Sequence, residues 1–151
     1  MDDSIRVGLL GCGMITQRSH APGYAAIPGV EITALCDLDA DRMATVKEKH
    51  APKAAMFTDY RELLKSGLVD AVSVATPVYL HCPMTIAALE AGCHVLCEKP
   101  MGMSRVETAQ MVAAAKTAGK VLQINLSRRY DRFYQTIGGL VGEGRLGEVR
   151  H

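Results

Sequence analysis

The chain has almost no net charge: 17 Lys and Arg stand against 16 Asp and Glu. No field of one sign therefore points to nucleic acid or an acidic membrane as a partner. It also lacks an unbroken apolar run. The longest stretch free of acidic and basic residues, Ala71 to Leu89, is nominally long enough to span a bilayer, but two prolines, a His, a Ser and two threonines interrupt it. The turn at Thr76-Pro77 divides it into two short elements, so no membrane segment is expected. No secretory leader is expected either, since Met1-Asp2-Asp3-Ser4 is acidic where a signal peptide is basic. The 5 cysteines, Cys12, Cys36, Cys82, Cys93 and Cys97, are an odd set, and most lie in or beside apolar segments. They read as reduced packing residues in a reducing, cytoplasmic compartment. Cys93 and Cys97 with His81 or His94 could be taken for metal ligands, but a strand through 93–97 has no second pair nearby, and no metal is expected. Aromatic residues are scarce at 5%, whereas Gly is raised to 14. With 48% hydrophobic and 22% charged residues in 151, the composition is that of one globular domain and excludes a disordered chain.

What is present is a series of short β-rich runs: Arg6–Leu10, Glu31–Cys36, Asp70–Ala75, Cys93–Cys97 and Lys120–Asn125, with a weaker one at Ala55–Phe57. Between them, Ala40–His50, Asp59–Ser66, Pro83–Ala91 and Val106–Ala118 have helical period, and Ser104-Arg-Val-Glu107 predicts a capping box at the start of the last. Gly67, Gly92 and Gly119, 25 and 27 residues apart, each close a helical segment just before an apolar run. Glycine suits that position because a left-handed backbone costs it nothing. Strands apolar throughout belong to a parallel sheet covered on both faces. The order therefore predicts an α/β fold, a doubly wound parallel sheet of about six strands with right-handed crossovers. Residues 1–126 are expected to form this dinucleotide-binding Rossmann domain. After Asn125, Arg128-Arg129-Tyr130-Asp131 is polar and Phe133–Val141 resembles a short helix. Gly147-Glu-Val-Arg-His151 looks like the opening of another strand, so 127–151 are expected to be a linker and the start of a second, truncated domain.

Gly11-Cys-Gly13 follows the first strand and opens a helix, the context in which G-x-G has meaning. The first Gly permits a tight turn, the second lets backbone amides approach a pyrophosphate, and helical N–H groups near Met14 and Ile15 add donors and positive dipole. Thr16 stands at the third fingerprint position, where it should loosen the helix–strand packing and could present its hydroxyl to a phosphate. Asp37 ends the second apolar run 24 residues beyond Gly13, where a carboxylate accepts from adenosine ribose hydroxyls. It would repel a 2′-phosphate, and Leu38 offers no compensating charge, which favours NAD over NADP. The simpler alternatives are an ordinary βα turn at the glycines and an Asp that begins the turn before an N-cap at Asp39.

Taken in order, Gly8-Leu-Leu-Gly-Cys-Gly13, Ala34-Leu-Cys-Asp37, Ala75-Thr-Pro77 with His81, Ala91-Gly-Cys-His-Val-Leu-Cys-Glu-Lys-Pro100, Arg128-Arg129-Tyr130-Asp131 and Gly144-Arg-Leu-Gly-Glu-Val149 resemble the landmarks of the Gfo/Idh/MocA oxidoreductases. Glu-Lys-Pro is the most specific of them. The resemblance implies a nicotinamide-dependent enzyme of two domains, in which a C-terminal α/β domain carries much of the substrate site and often the interface of a homo-oligomer. It places Lys99 beside the nicotinamide and the reacting carbon, where a cation can stabilise a developing alkoxide or relay a proton. It further implies that Glu98 contacts the cofactor ribose or orients Lys99, that Thr76 and Pro77 shape the turn facing the cofactor, and that His81 and Arg129 lie near it. Each has a plainer reading: a solvated Lys, a Glu–Lys surface pair, a His packed on the turn, an Arg paired with Asp131 or Glu148. Val78 departs from the family's usual Asn and Arg132 from its usual Pro.

The His and Asp that the family uses for acid–base work come from its second domain, and no local residue replaces them. The resulting expectation is the NAD-binding domain of a dehydrogenase acting on a secondary alcohol of a sugar, polyol or related small molecule, inactive as a 151-residue chain. The rival is a stand-alone dinucleotide-binding sensor or partner subunit. A dehydratase- or glycosidase-like use of bound NAD is a further alternative within the family.

Overall fold

The computed structural model describes residues 4–148 and 150. Its elements follow in the order β1 (Ile5–Leu10), a π-helical turn (Thr16–His20) leading into α1 (Ala21–Ala25), β2 (Val30–Cys36), α2 (Ala40–His50), β3 (Ala55–Phe57) and α3 (Tyr60–Lys65). Then come β4 (Ala71–Val74), a 3-10 turn (Val78–Leu80), α4 (His81–Glu90), β5 (His94–Cys97), α5 (Arg105–Ala118), β6 (Leu122–Ile124), a second 3-10 turn (Ser127–Tyr130) and α6 (Arg132–Gly142). All pairings are parallel, in the order β3-β2-β1-β4-β5-β6. The strand order reverses between β1 and β4, and such a switch point opens a crevice at the carboxyl ends of the strands.

The period-2 alternation of the strands sends their side chains to two separate cores. Val7, Leu9, Ile32 and Leu35 meet Met43 and Val46 of α2 and Ala21 of α1 on one face. Leu10, Val72, Val74, Val95 and Cys97 meet Leu63, Ala88, Leu89 and Met111 on the other. This is the doubly wound arrangement expected from the apolar runs. All five cysteines are free and buried, Cys93 and Cys97 among the apolar residues of the second core.

Local chemistry sets the element ends. Asp39 caps α2 by accepting from the Asp41 and Arg42 amides, and Asp59 and Asp131 do the same for α3 and α6. Gly67, Gly92 and Gly119 have φ of 69°, 83° and 63°, the left-handed closures expected of them. The capping box forms by half. Ser104 accepts from Glu107 N, but the Glu107 carboxylate takes the Met103 amide at 2.7 Å instead of the Ser104 amide. Three strands, β4, β5 and β6, are shorter than their apolar runs. Asp70, just before β4, receives the Arg6 amide, Nε and Nη2 on its carboxylate, while its own amide donates to the Arg6 carbonyl. Beyond α6, Gly147, Glu148 and Arg150 form no strand, and Val149 and His151, on which the expected strand also falls, lie outside the described residues.

Candidate dinucleotide site

A cleft of about 870 Å3 opens at the switch point. One wall is the glycine turn from Gly11 to Ile15, another the end of β2 from Asp37, and a third Ala75, Thr76 and Pro77 after β4. Gly11 has φ +93°, and a Cβ there would stand 2.6 Å from the Ala75 carbonyl oxygen. The two crossing chains are held at that distance by Gly11 N–H to the Cys36 carbonyl and Ala75 N–H to the Leu10 carbonyl, both 2.8 Å. Gly13 is different: a Cβ there would meet no protein atom within 4 Å, and the residue lines the cleft. The first helical bond after it runs from Gln17 N–H to the Gly13 carbonyl. The amides of Met14, Ile15 and Thr16 precede any intrahelical acceptor and are available to an anion.

The Asp37 carboxylate ties this loop to β2. Its Oδ2 accepts from the Cys12 amide at 2.6 Å and its Oδ1 from the Asp39 amide at 3.0 Å. An ionised carboxylate has about four lone-pair sites, so a ribose hydroxyl can still be accepted. Asp37 thus both starts the turn before Asp39 and stands at the cleft. Its charge, after burial itself, helps push the Cys12 and Cys36 thiols up to about 12. Thr16 departs from expectation. Its hydroxyl is fully buried and donates to the Gly11 carbonyl at 2.6 Å, bracing the turn from beneath and facing away from any phosphate.

Of the other residues singled out, His81 is buried beneath the cleft wall. Its Nδ1 lies 2.8 Å from the Pro100 carbonyl oxygen and its Nε2 2.9 Å from that of Thr76, so the ring joins the exit of β4 to the turn after β5. Glu98 is buried and is no surface partner of Lys99. Its Oε1 accepts from His20 Nε2 at 2.9 Å and Asn125 Nδ2 at 2.7 Å, and its Oε2 from the Lys99 amide at 3.0 Å. Burial raises this carboxyl, but the His20, Asn125 and Lys99 hydrogen bonds outweigh it and hold the group below the ordinary range. Lys99 is exposed at the carboxyl end of β5. Arg129 is exposed on the 3-10 turn before α6, away from the cleft lining, and pairs with neither Asp131 nor Glu148 among the described residues.

Several participants escaped the sequence reading. His20, Ser73 and Asn125 come from three elements, and only the fold brings them to Glu98. Arg42 and Arg61 line the far end of the cleft, where Arg42 Nε holds Asp39 at 3.0 Å and Arg61 lies over the Tyr60 ring. Caps at Asp39 and Asp59 predict such local pairs, but not that both line one cleft.

A parallel sheet with this strand order, a glycine turn at its switch point and an acidic residue ending the second strand define a dinucleotide-binding Rossmann domain. The fit reaches the family level. Residues 5–126 match the model described as "Oxidoreductase family, NAD-binding Rossmann fold", and the chain belongs to the Gfo/Idh/MocA family. It is 34% identical over 96% of its length to D-glucoside 3-dehydrogenase of Escherichia coli, covering 41% of that protein. It is 30% identical, again over 96%, to inositol 2-dehydrogenase of Salmonella typhimurium, covering 44%. Among solved structures, a 3-ketoreductase from Actinomadura kijaniata in complex with NADP and TDP-benzene superposes with a TM-score of 0.89 at 33% identity, over 97% of this chain and 45% of that one. The chain spans less than half the length of these relatives. No helix among the described residues is long and apolar enough to cross a membrane.

Proposed function

We propose that the chain binds NAD across the switch-point cleft as the cofactor domain of a dehydrogenase acting on a secondary alcohol of a sugar, polyol or related compound. The observation that carries this reading is the close approach of the glycine turn to β4, with Asp37 fixing the turn at the adenosine side. The pyrophosphate would lie on the amides of Gly13 to Ile15, and the adenosine ribose at Asp37. When bound, the nicotinamide supplies a hydride acceptor or donor for the substrate carbon. Lys99 hydrogen-bonds the substrate oxygen and stabilises the negative charge that develops there. Thr76 and Pro77 shape the wall beside the nicotinamide ribose, Glu98 fixes the Lys99 backbone, and Arg129 approaches the nicotinamide end from the segment after β6. The oxygen's proton leaves through residues of a second domain that begins within 127–151. The chain of 151 residues by itself binds cofactor with little or no turnover, and the whole enzyme is a cytoplasmic homo-oligomer.

The preference for NAD rests on Asp37, whose charge opposes a 2′-phosphate. The NADP of the Actinomadura ketoreductase is the observation against it. Arg42 and Arg61 are the cations that would receive such a phosphate, and here they face Asp39 and Asp59. Fluorescence titration with NADH and NADPH tests the order: NADH should bind more tightly, and tighter NADPH binding overturns it. Substrate-dependent NADH formation by the purified chain at enzyme-like rates would refute its inactivity.

A further inference from the structure

Beneath Lys99 lies a buried polar chain, of which the reading above uses only Glu98. The π-helical turn brings His20 inward, with Ala21 N–H reaching back to the Thr16 carbonyl. Pro22, one residue on, lacks an N–H and its ring crowds the carbonyl four residues earlier, which favours a widened turn here. His20 is 6% exposed, Ser73 1% and Glu98 8%. Ser73 Oγ lies 2.8 Å from His20 Nδ1, and His20 Nε2 lies 2.9 Å from Glu98 Oε1. A carboxylate only accepts, so Nε2 carries a proton and donates to Glu98, and in the neutral ring Nδ1 accepts a hydrogen bond from the Ser73 hydroxyl. Glu98 then accepts three donors: His20, Asn125 and the Lys99 amide. The chain thus joins the turn after β1, the middle of β4, the end of β5 and the end of β6.

Stability alone gives no reason for this arrangement. A buried carboxylate with its partners is expensive to desolvate, and apolar residues of similar volume commonly do as well. What the chain does determine is where Glu98 stands, and through the amide at 3.0 Å where the Lys99 backbone leaves β5. The next residue, Pro100, is held by His81 to the Thr76 carbonyl in the cleft wall.

We propose that His20 is a positioning residue: acting through Glu98, it sets Lys99 and the nicotinamide half of the dinucleotide site, leaving the adenosine half untouched. This rests on the NAD-binding reading, so the test compares NADH with ADP-ribose, which keeps the adenosine and pyrophosphate but lacks the nicotinamide. Failure of the unaltered chain to bind either ligand overturns that reading. With both bound, His20→Leu should weaken NADH about tenfold, the scale of one charged hydrogen bond, and change ADP-ribose less than about twofold. His20→Gln, whose Nε2 can still donate to Glu98, should restore NADH binding. Equal losses for both ligands, no loss for either, or no rescue by Gln would overturn the proposal. Two measurements do not depend on His20→Leu folding. Asn125→Ala, which removes one donor to Glu98 at a half-buried position, should weaken NADH selectively, and loss for both or neither ligand counts against it. In the unaltered chain, the 15N resonances of the His20 ring should move on adding NADH and stay put on adding ADP-ribose, and the same shift with both counts against it.

Discussion

A methyl group at Gly11 and one at Gly13 should have opposite consequences, although only Cys12 separates them. At Gly11 the added Cβ would stand 2.6 Å from the Ala75 oxygen, 2.9 Å from its carbonyl carbon and 3.1 Å from Thr76 Cγ2, on a backbone with φ +93°. The first two atoms are main chain, held by the Ala75 amide on the Leu10 carbonyl, and cannot retreat without breaking that bond. A side chain in such a backbone region costs roughly 1–3 kcal/mol, and relieving the overlap costs roughly another 1–3 kcal/mol. At roughly 2–4 °C per kcal/mol for a domain of this size, Gly11→Ala should lower the melting temperature by about 5–20 °C. At Gly13 a Cβ meets nothing within 4 Å and the φ is not left-handed, so Gly13→Ala should leave stability within about 0.5 kcal/mol. Its methyl group would instead stand where, in the proposed NAD site, backbone amides meet the pyrophosphate. Losing one hydrogen bond to a charged group costs about 1.5–3 kcal/mol, or roughly 10- to 150-fold in NADH affinity. Thermal melts and NADH fluorescence titrations on the two variants separate the cases. A Gly13→Ala chain that melts normally and binds NADH with unchanged affinity would refute placement of the phosphates on this turn, and a Gly11→Ala chain that melts like its parent would refute the close crossing.

Other outcomes follow from the same geometry. Asp37→Ser should shift the ratio of NADPH to NADH affinity by at least about fivefold toward NADPH, and an unchanged ratio in paired titrations would dismiss Asp37 as the discriminating charge. The Glu98 carboxyl is held below its ordinary value, so its stabilising effect is complete above that value and is lost as pH falls through the lowered one. The gap in melting temperature between the parent and Glu98→Gln should therefore be constant near neutrality and shrink as pH falls through and below the ordinary carboxylate range; a gap that widens in acid contradicts the sign. Burial, reinforced by Asp37, pushes Cys12 and Cys36 to about 12, and burial pushes Cys97 to about 11. A thiol reagent at neutral pH should label none of the five cysteines in the native chain and all five in denaturant, and rapid native labelling of any would place it at the surface.

The two cores on opposite faces of the sheet were legible in the spacing of the apolar runs, because a strand buried on both sides must be apolar at every position. The glycines that end α3, α4 and α5 were legible for an equally local reason, the cost of a left-handed backbone to any residue with a Cβ. Asp37 was legible as well, since its distance from Gly13 follows from one βαβ unit. Thr16 was misread because its hydroxyl had two possible acceptors, a phosphate outside and the Gly11 carbonyl beneath, and only the path of the turn decides between them. The second half of the capping box failed similarly, since Glu107 reaches past Ser104 to the Met103 amide.

By itself, the sequence determined what depends on neighbours along the chain: the strand and helix order, the glycine turn after β1, the acidic end of β2 and the landmarks of the family. The tertiary structure decided what depends on neighbours in space. It set the 2.6 Å clearance that makes Gly11 obligatory, placed Arg42 and Arg61 on one cleft, and gathered His20, Ser73, Glu98 and Asn125 around a buried carboxylate. Residues 53 and 78 positions apart carry no mutual signal in a single sequence. They meet only because parallel strands, joined by crossovers, bring their carboxyl ends to the same edge of the sheet.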